Sequence, residues 1–291
     1  MTLGEIYAIT ASLTWAMSSV LVRTQTDRVG VLVINLVRCL AAELALVTLL
    51  PLVGTPGMFA ELPWRSVGFL VVAMISGLIL GDSLFFKSLG MIGVARAAPI
   101  TNMAPLFTFL LSLAFLQESL TWGIFAGTLL VVSGVTLIAV SRERLDDVGW
   151  GRVRWTGIAL ATMASMCWAV GTLVLKVAVG DLNPYAAHVL RLAAAVLILG
   201  AVRGRELVRL RQYGARSLGT MALAGVVGIG GSGLLYLSAV KYAGAARTAS
   251  LAGTMPLFAA LLSWLVLKER ITLRVIAGST VTVAGIWLIV G

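Results

Sequence analysis

Ten long apolar runs divide the chain and limit the folds that it can adopt. Each is close to the length of about 20 residues that a helix needs to cross the hydrocarbon core of a bilayer. The runs span approximately residues 4–22, 31–53, 66–88, 94–116, 120–140, 155–177, 184–202, 216–241, 245–267 and 272–290. Because lipid offers no partner to an unpaired backbone group, the sequence predicts an all-α integral membrane protein with ten transmembrane helices.

The charged residues are few, and most lie between the apolar runs. Only 12% of the 291 residues are charged and 59% are hydrophobic, whereas a soluble globular protein carries roughly 25% charged residues. The net charge of +10 comes mainly from Lys and Arg in short connecting segments, which is typical of membrane topology and argues against nucleic-acid binding. Sixteen of the 22 Lys and Arg residues lie in the connections after odd-numbered spans or within three residues of them, four lie likewise at those after even-numbered spans, and the other two, Arg38 and Arg191, lie inside spans. The positive-inside rule therefore predicts cytoplasmic odd-numbered connections and two termini on the non-cytoplasmic side.

The two halves of the chain carry matching residues in the same order. At an offset of 153, Ala11, Ser12, Trp15, Ala16 and Arg38 correspond to Ala164, Ser165, Trp168, Ala169 and Arg191. At an offset of 151, Gly77, Gly93, Arg96, Pro105, Leu106, Phe107, Glu118, Gly127 and Gly134 correspond to Gly228, Gly244, Arg247, Pro256, Leu257, Phe258, Glu269, Gly278 and Gly285. Five spans in each half predict that the second half enters the membrane from the opposite side. We therefore expect two inverted five-helix repeats, residues 1–145 and 146–291, around a central cavity; two halves in one chain favour a monomer.

The repeated motifs resemble the EamA domain of the drug/metabolite transporter superfamily. Each half contains a proline, an apolar helix that ends in Leu-x-Glu, a threonine and two spaced glycines. These residues are Pro105, Leu116, Glu118, Thr121, Gly127 and Gly134, and then Pro256, Leu267, Glu269, Thr272, Gly278 and Gly285.

The resemblance covers nearly the whole chain and implies ten helices around a central cavity. Members of the superfamily carry amino acids, purines, drugs, nucleotide sugars or sugar phosphates. The sequence looks most like the bacterial branch that includes exporters of amino acids, aromatic ones among them, and of methyl viologen. This resemblance implies a multi-pass protein of the bacterial inner (plasma) membrane.

Three charged residues lie deep inside predicted spans. A charge at the bilayer centre costs about 2.5–3.5 kcal/mol on insertion scales, so each needs a reason. Glu43 is a candidate for binding a proton or a cationic substrate; alternatively, it forms an ion pair with Arg38 or Arg191. The two arginines each follow a polar residue by three positions, Asn35 and His188, which places both members on one helix face. Such a face suits a substrate carboxylate, or the arginines cap carbonyls or extend to the interface.

The remaining candidates are an acid, two matched tryptophans and further polar residues of the spans. Asp82 lies towards the end of the third span, and its counterpart Gly233 belongs to a glycine-rich stretch that favours close packing or a broken helix. Trp15 and Trp168 suit either a cavity for aromatic or cationic substrates or plain packing. The predicted substrate-binding residues are Trp15, Arg38, Glu43, Asp82, Asn102, Trp168, His188, Arg191 and Tyr236.

The sequence favours a secondary transporter whose partners are the lipid bilayer and a small-molecule substrate. It contains no G-x-x-x-x-G-K-[ST] loop, so ATP is not the expected energy source. Cys39 and Cys167 lack neighbours at metal-ligand spacing, and no cofactor is predicted. Export of amino acids or related metabolites is the leading hypothesis, and efflux of drugs or quaternary cations is the alternative. An intramembrane enzyme is a remote third reading, because the sequence offers no catalytic constellation.

Overall fold

The structure is a computed structural model, and it describes most of the chain as helix. The described residues are 1–23, 25, 29–53, 57–59, 62–92, 97, 100–116, 118, 121–140, 152–180, 182–267 and 272–291. No described residue lies in a β-strand. The sequence expectation of an all-helical membrane protein is therefore confirmed.

The helices follow one another with short connections. The first half contains α1 (Leu3–Arg23), α2 (Val31–Val53), α3 (Trp64–Met74), α4 (Asp82–Ile92), α5 (Ala104–Phe115) and α6 (Trp122–Val140). The second half contains α7 (Arg152–Val179), α8 (Pro184–Arg203), α9 (Gly214–Gly225), α10 (Ser232–Ala243), α11 (Ala245–Ala252), α12 (Met255–Leu267) and α13 (Leu273–Val290).

Among the described residues, eight helical segments are long and apolar enough to cross a membrane. They are Leu3–Val22, Val33–Val53, Trp64–Phe85, Trp155–Val179, Pro184–Val202, Gly214–Ala243, Ala245–Leu262 and Leu273–Val290. Two shorter apolar helices, Ala104–Phe115 and Trp122–Ile138, lie where the sequence predicts the fourth and fifth spans. The predicted fourth span begins at residue 94, in a stretch of which the structure describes only residues 97 and 100 onward.

The helix ends follow local capping chemistry. The Asn183 side chain accepts a hydrogen bond of 2.8 Å from the Tyr185 backbone N–H, and Pro184 occupies the first turn of α8. Both features favour a helix start. Helix α10 ends before Gly244, whose φ of 86° is accessible to glycine at little cost. The chain thereby turns from α10 into α11 within a single residue.

Two π-helical segments interrupt the helices at matching positions of the two halves. The first π segment (Ile75–Gly81) joins α3 to α4, and the second (Val226–Gly231) joins α9 to α10. Their first residues are separated by the offset of 151 that relates the repeats. Segments of this kind inside α-helices are frequent at functional sites. A further departure from expectation is the basic stretch after α8, where Gly204–Tyr213 forms a 3₁₀-helix.

In each half a π segment joins two α-helices into one continuous rod, the third of that half: α3 to α4 in the first half and α9 to α10 in the second. Each half packs its first helix against the third rod of the other half. Helix α1 contacts α9, the second π segment and α10, whereas α7 contacts α3, the first π segment and α4. A hydroxyl pair reinforces the crossing of α1 with α10, between Ser232 Oγ and Thr14 Oγ1 (2.7 Å), and another joins Ser12 Oγ of α1 to Thr254 Oγ1 in the turn between α11 and α12 (3.0 Å). Such interhelical hydrogen bonds are common where lipid provides no hydrophobic drive between helices.

Helices α6 and α13 form a close seam through matched glycines. A Cβ atom added at Gly127 would lie 2.6 Å from the Gly285 carbonyl oxygen, and one added at Gly134 would lie 2.6 Å from that of Gly278. The reciprocal additions at Gly278 and Gly285 would meet the carbonyls of Gly134 and Gly127 at 2.7 and 2.6 Å. Contacts that run in opposite directions along the two helices make the pair antiparallel.

One end of the bundle is held by two acidic residues. The Glu118 carboxylate accepts hydrogen bonds from the backbone N–H groups of Ala245 (2.7 Å) and Ala246 (3.3 Å) at the start of α11. The carboxylate thus satisfies backbone N–H groups that have no intrahelical partner at a helix start. Glu5, only 1% exposed, pairs with Arg247 at 2.7 Å. The repeat counterparts Gly93, Arg96 and Glu269 lie outside the described residues.

The outer surface of the helices is strongly apolar. Side chains such as Leu52, Trp122, Leu273 and Trp287 have exposed fractions of 82%, 83%, 81% and 74%. A soluble protein rarely exposes apolar surface on this scale. The surface is that of a protein surrounded by lipid.

Candidate functional site

Four charged residues converge on one buried position of α2. The Cys39 side chain is fully buried and lies within electrostatic reach of Arg38, Glu43, Asp82 and Arg191. We call these four residues the central charged cluster. All four are among the nine residues singled out from the sequence, and they come from α2, α4 and α8.

Arg38 bonds to neighbours on α1 and α2 through both of its terminal nitrogens, whereas its buried Nε has no partner among the described residues. Its Nη1 donates to Asn35 Oδ1 (3.1 Å), and its Nη2 donates to Ser18 Oγ (3.2 Å). Ser18 in turn donates to the Ala224 carbonyl oxygen. The guanidinium is also attracted electrostatically to Asp82. Arg38 is therefore a buried cation with a nearby acid and two hydrogen-bond acceptors.

Asp82 is tied to α7 by a tryptophan. The indole Nε1 of Trp168 donates to Asp82 Oδ1 at 3.0 Å. The same indole lies against Gly81, where an added Cβ would come within 2.6 Å of the ring, and it forms an edge-on pair with Phe85 at 5.4 Å between ring centroids. The glycine is required here because the ring occupies the space of a side chain.

Arg191 has no hydrogen-bond partner among the described residues, although it is the repeat counterpart of Arg38. Its Nη1 atom is buried and unpaired. The residues that neutralise Arg38 are absent at the corresponding positions, since Ser18, Asn35 and Asp82 correspond to Gly171, His188 and Gly233. The nearest groups that act on Arg191 electrostatically are Tyr236, Cys39 and His188.

His188 does not take over the role of Asn35. Its Nε2 donates to the Ile229 carbonyl oxygen of the second π segment at 3.0 Å. Its ring also fills the space beside Gly233, where an added Cβ would lie 2.5 Å from the imidazole Cε1. The ring thus binds the helix backbone, and its buried Nδ1 has no partner within the described chain.

Glu43 is the second unneutralised charge of the cluster. Its Oε2 atom is buried and receives no hydrogen bond from any described residue. The ion pair with Arg38 or Arg191, one of the two interpretations of the sequence, does not occur among the salt bridges of the described residues. Tyr185 of α8 lies within electrostatic reach of Glu43, but its hydroxyl donates to the Leu46 carbonyl oxygen.

Two matched aromatic pairs cross between the halves beside this cluster. The rings of Trp15 and Tyr236 lie 5.1 Å apart, and those of Trp168 and Phe85 occupy the equivalent positions in the other crossing. The Tyr236 hydroxyl forms a hydrogen bond of 2.7 Å with Thr172 Oγ1. Since Tyr236 also acts on Arg191, an aromatic wall lies next to the unneutralised guanidinium.

Unlike the other eight residues selected from the sequence, Asn102 lies in a turn between helical segments. It lies in the turn between Ile100 and the start of α5, and its buried Nδ2 has no partner in the described part of the chain. Its counterpart, Gly253, forms the equivalent turn between α11 and α12 and lies against Pro105. The two turns therefore meet where α5 and α11 cross.

Sequence reasoning missed three polar residues that shape the site. Ser18 and Thr172 bind Arg38 and Tyr236, respectively, and Tyr185 lies close to Glu43. A signal existed for two of them, because Ser18 and Thr172 follow Trp15 and Trp168 at helical spacings of three and four. The described residues contain no group of three His, Cys, Asp or Glu side chains suited to a metal ion.

Comparison with known proteins assigns the family. The sequence model of the EamA-like transporter family matches residues 2–140 and again residues 155–291. The chain belongs to this family. Two proteins of Archaeoglobus fulgidus, each described as an uncharacterized transporter, are similar to this EamA-like chain. One is 26% identical over 288 residues, covering 98% of this chain and 96% of the relative. The other is 25% identical over 222 residues, covering 73% and 75%.

A solved crystal structure has the same fold. It is 16% identical in sequence and superposes with a TM-score of 0.79, covering 98% of this EamA-like chain and 95% of the other. At this identity the likeness concerns the fold alone. The family and the apolar helices place the protein among multi-pass membrane transporters of small molecules.

Proposed function

We propose that the protein is a secondary transporter that exports small polar metabolites, amino acids above all, across the bacterial inner membrane. The observation that carries the proposal is a pair of charged residues, Arg191 and Glu43, each with a buried polar atom that no described residue bonds, in helices long and apolar enough to cross a membrane. Ionisable groups in such positions are costly and mark substrate or ion pathways. Opposite charges that do not pair with each other suit a substrate that carries both signs.

Alternating access between two inverted five-helix repeats, residues 1–145 and 146–291, is the proposed mechanism. The reciprocal packing of α1 and α7 against the third rod of the opposite half supports it. So does the antiparallel glycine seam of α6 and α13, because the residues in contact are exchanged by the repeat. In such folds, rocking of one repeat against the other exposes a midplane site to each side in turn. One chain supplies both halves and acts as a monomer.

Transport by purified protein in liposomes tests the proposal. Vesicles are loaded with radiolabelled amino acids of acidic, basic, polar and aromatic type, and release is followed with time. We expect release of at least one amino acid above the rate of protein-free vesicles, and competition by the same unlabelled amino acid. Vesicles that contain an unrelated membrane protein control for leakage. Release equal to that of both controls for the whole panel contradicts the proposal.

The Trp15–Tyr236 pair and Glu43 also favour a second candidate, efflux of quaternary cations. Aromatic faces and a carboxylate are the groups that bind such cations. The substitution Glu43→Gln separates the two candidates in cells and vesicles. Loss of resistance to methyl viologen with unchanged amino-acid release supports cation efflux, whereas reduced amino-acid release supports the leading proposal.

A further inference from the structure

We infer that the transported molecule is bound as a zwitterion, with its anionic group on Arg191 and its cationic group on Glu43, while Arg38 is a fixed structural cation. This inference rests on the proposed function and assigns roles within the same site. It distinguishes two arginines that the repeat makes equivalent in sequence and that the structure makes different in their surroundings.

The first step is the unequal neutralisation of Arg38 and Arg191. An uncompensated charge in a protein interior is strongly destabilising, and a guanidinium has five N–H donors to satisfy. Arg38 uses Asn35 and Ser18 and has Asp82 nearby. For Arg191, the described residues supply neither a hydrogen-bond acceptor nor an acidic partner. A carboxylate of the substrate is a geometric match for this guanidinium.

The second step is that the sequence removes all three partners of Arg191 together. Glycine at 171 and 233 and histidine at 188 replace Ser18, Asp82 and Asn35 of the other half. The histidine ring is then held by the Ile229 carbonyl. Equivalent arginines thus have opposite assignments, one anchored to the protein and one left for a ligand.

The third step concerns the opposite charge. Glu43 has a buried oxygen with no donor among the described residues, and it does not pair with Arg191. Both groups nevertheless act on the same Cys39 side chain. Two opposite charges within reach of one side chain that do not pair with each other suit a molecule that makes a charge-assisted bond of about 2.8 Å at each end.

The aromatic wall completes the arrangement. Tyr236 lies within electrostatic reach of Arg191, and its ring packs on Trp15. A substrate held by Arg191 through its carboxylate therefore carries its side chain towards these two rings. An amino acid with an aromatic or apolar side chain fits this wall, because stacked rings exchange apolar contacts there.

The test compares one amino acid with derivatives that lack a single charge. L-Phenylalanine, phenethylamine (no carboxylate) and N-acetyl-L-phenylalanine (no cationic amine) are titrated against the purified full-length protein, and binding is read from the thermal shift. For the wild type we expect affinity for phenylalanine to exceed that for either derivative by on the order of tenfold to a hundredfold, the usual weight of a charged hydrogen bond.

Variants assign each charge. Arg191→Gln is expected to lower phenylalanine and N-acetylphenylalanine affinity by about tenfold or more, without lowering that of phenethylamine. Glu43→Gln is expected to lower phenylalanine and phenethylamine affinity instead. Arg38→Gln should reduce the melting temperature yet keep the wild-type preference for phenylalanine over both derivatives. Arg216→Gln removes an exposed charge and is the matched control for net charge.

The outcomes separate the inference from the proposed function. Wild-type vesicles that release no amino acid contradict the proposed function itself. Release of phenylalanine together with equal binding of its derivatives overturns only the zwitterion assignment, as does an Arg191→Gln protein that keeps the wild-type preference. If Arg191→Gln does not fold, Arg191→Lys keeps the positive charge and is expected to retain the preference at reduced affinity.

Discussion

At the residue scale, repeat-related side chains occupy different environments. Arg38 and Arg191 match in sequence, but only Arg38 has Asn35 and Ser18 within hydrogen-bond distance. Trp15 and Trp168 also match, and each pairs with an aromatic ring of the other half. Only Trp168 has a hydrogen bond to an acidic side chain. A duplicated scaffold thus provides equivalent positions, and single side chains determine what each position binds.

The tryptophan difference gives a measurable stability effect. In Trp168→Phe, Asp82 loses the indole donor that bonds it at 3.0 Å, and we expect a loss of about 1–3 kcal/mol in the free energy of unfolding. Trp15→Phe removes a similar volume without removing such a bond and is the matched control, with a smaller expected loss. Unfolding in detergent micelles measures both variants. Equal losses would show that ring volume, not the Asp82 bond, determines the effect.

Helical spacing predicted only part of the charged cluster. The separation of three residues placed Asn35 and Arg38 on one face, and their side chains do form a hydrogen bond. His188 and Arg191 have the same spacing but do not bond to each other, because His188 binds the backbone of the second π segment instead. Spacing predicts which side chains are neighbours on one helix, whereas the hydrogen bond of His188 depends on the Ile229 carbonyl of a different element. The substrate-binding roles of the nine residues stay predictions.

At the scale of elements, the two π segments differ in how closely they are packed. Gly228 of the second segment faces the Ser18 side chain, and an added Cβ would also lie 3.3 Å from Arg38 Nη2. Its counterpart Gly77, in the first segment, has no atom within 4 Å of the equivalent position. Matched glycines in matched segments therefore serve different purposes.

Alanine substitutions at these glycines should give unlike results. Gly228→Ala overpacks the contact with Ser18 and Arg38, and we expect it to lower the free energy of unfolding by about 1–3 kcal/mol. Gly77→Ala enters open space and is expected to stay within about 0.5 kcal/mol of the wild type. Thermal unfolding of the two purified variants measures the difference. A comparable loss at both positions would contradict the role assigned to the Gly228 contact.

The length of apolar runs predicted eight helices that the structure describes as long enough to span a membrane. It did not predict the π segments or the 3₁₀-helix of Gly204–Tyr213. Hydropathy reports which residues avoid water, but the hydrogen-bond register inside a helix depends on the helices packed against it. Two signals were available: the repeated Gly77 and Gly228, since glycine recurs at both segments, and the glycine-rich stretch that ends at Gly233, for which close packing or a broken helix was expected.

At the scale of the whole molecule, the distribution of Lys and Arg sets the expected orientation. Sixteen of the 22 residues lie at the connections after odd-numbered spans, so those connections are predicted to be cytoplasmic. Glu118, Glu5 and Arg247 then lie at the non-cytoplasmic end of the bundle, where Glu118 joins the start of α11. The orientation and the inversion of the repeats stay predictions.

Reporter fusions measure this orientation directly. Alkaline phosphatase, which is active only outside the cytoplasm, is expected to be active when fused after Gly291 and inactive when fused after Arg216. A fluorescent protein that folds only in the cytoplasm should give the reverse pattern at both sites. The fusion after Arg216 is the internal control, because it follows an odd-numbered span. Phosphatase activity confined to the Arg216 fusion would reverse the predicted orientation.

The glycine seam of α6 and α13 limits which parts of the protein are free to move. Each helix places backbone against backbone at two levels, Gly127 with Gly285 and Gly134 with Gly278. Sliding one helix past the other by a single position would drive a side chain into a carbonyl group. Because α6 belongs to one half and α13 to the other, we expect this seam to act as the axis about which the two halves rock in the proposed mechanism.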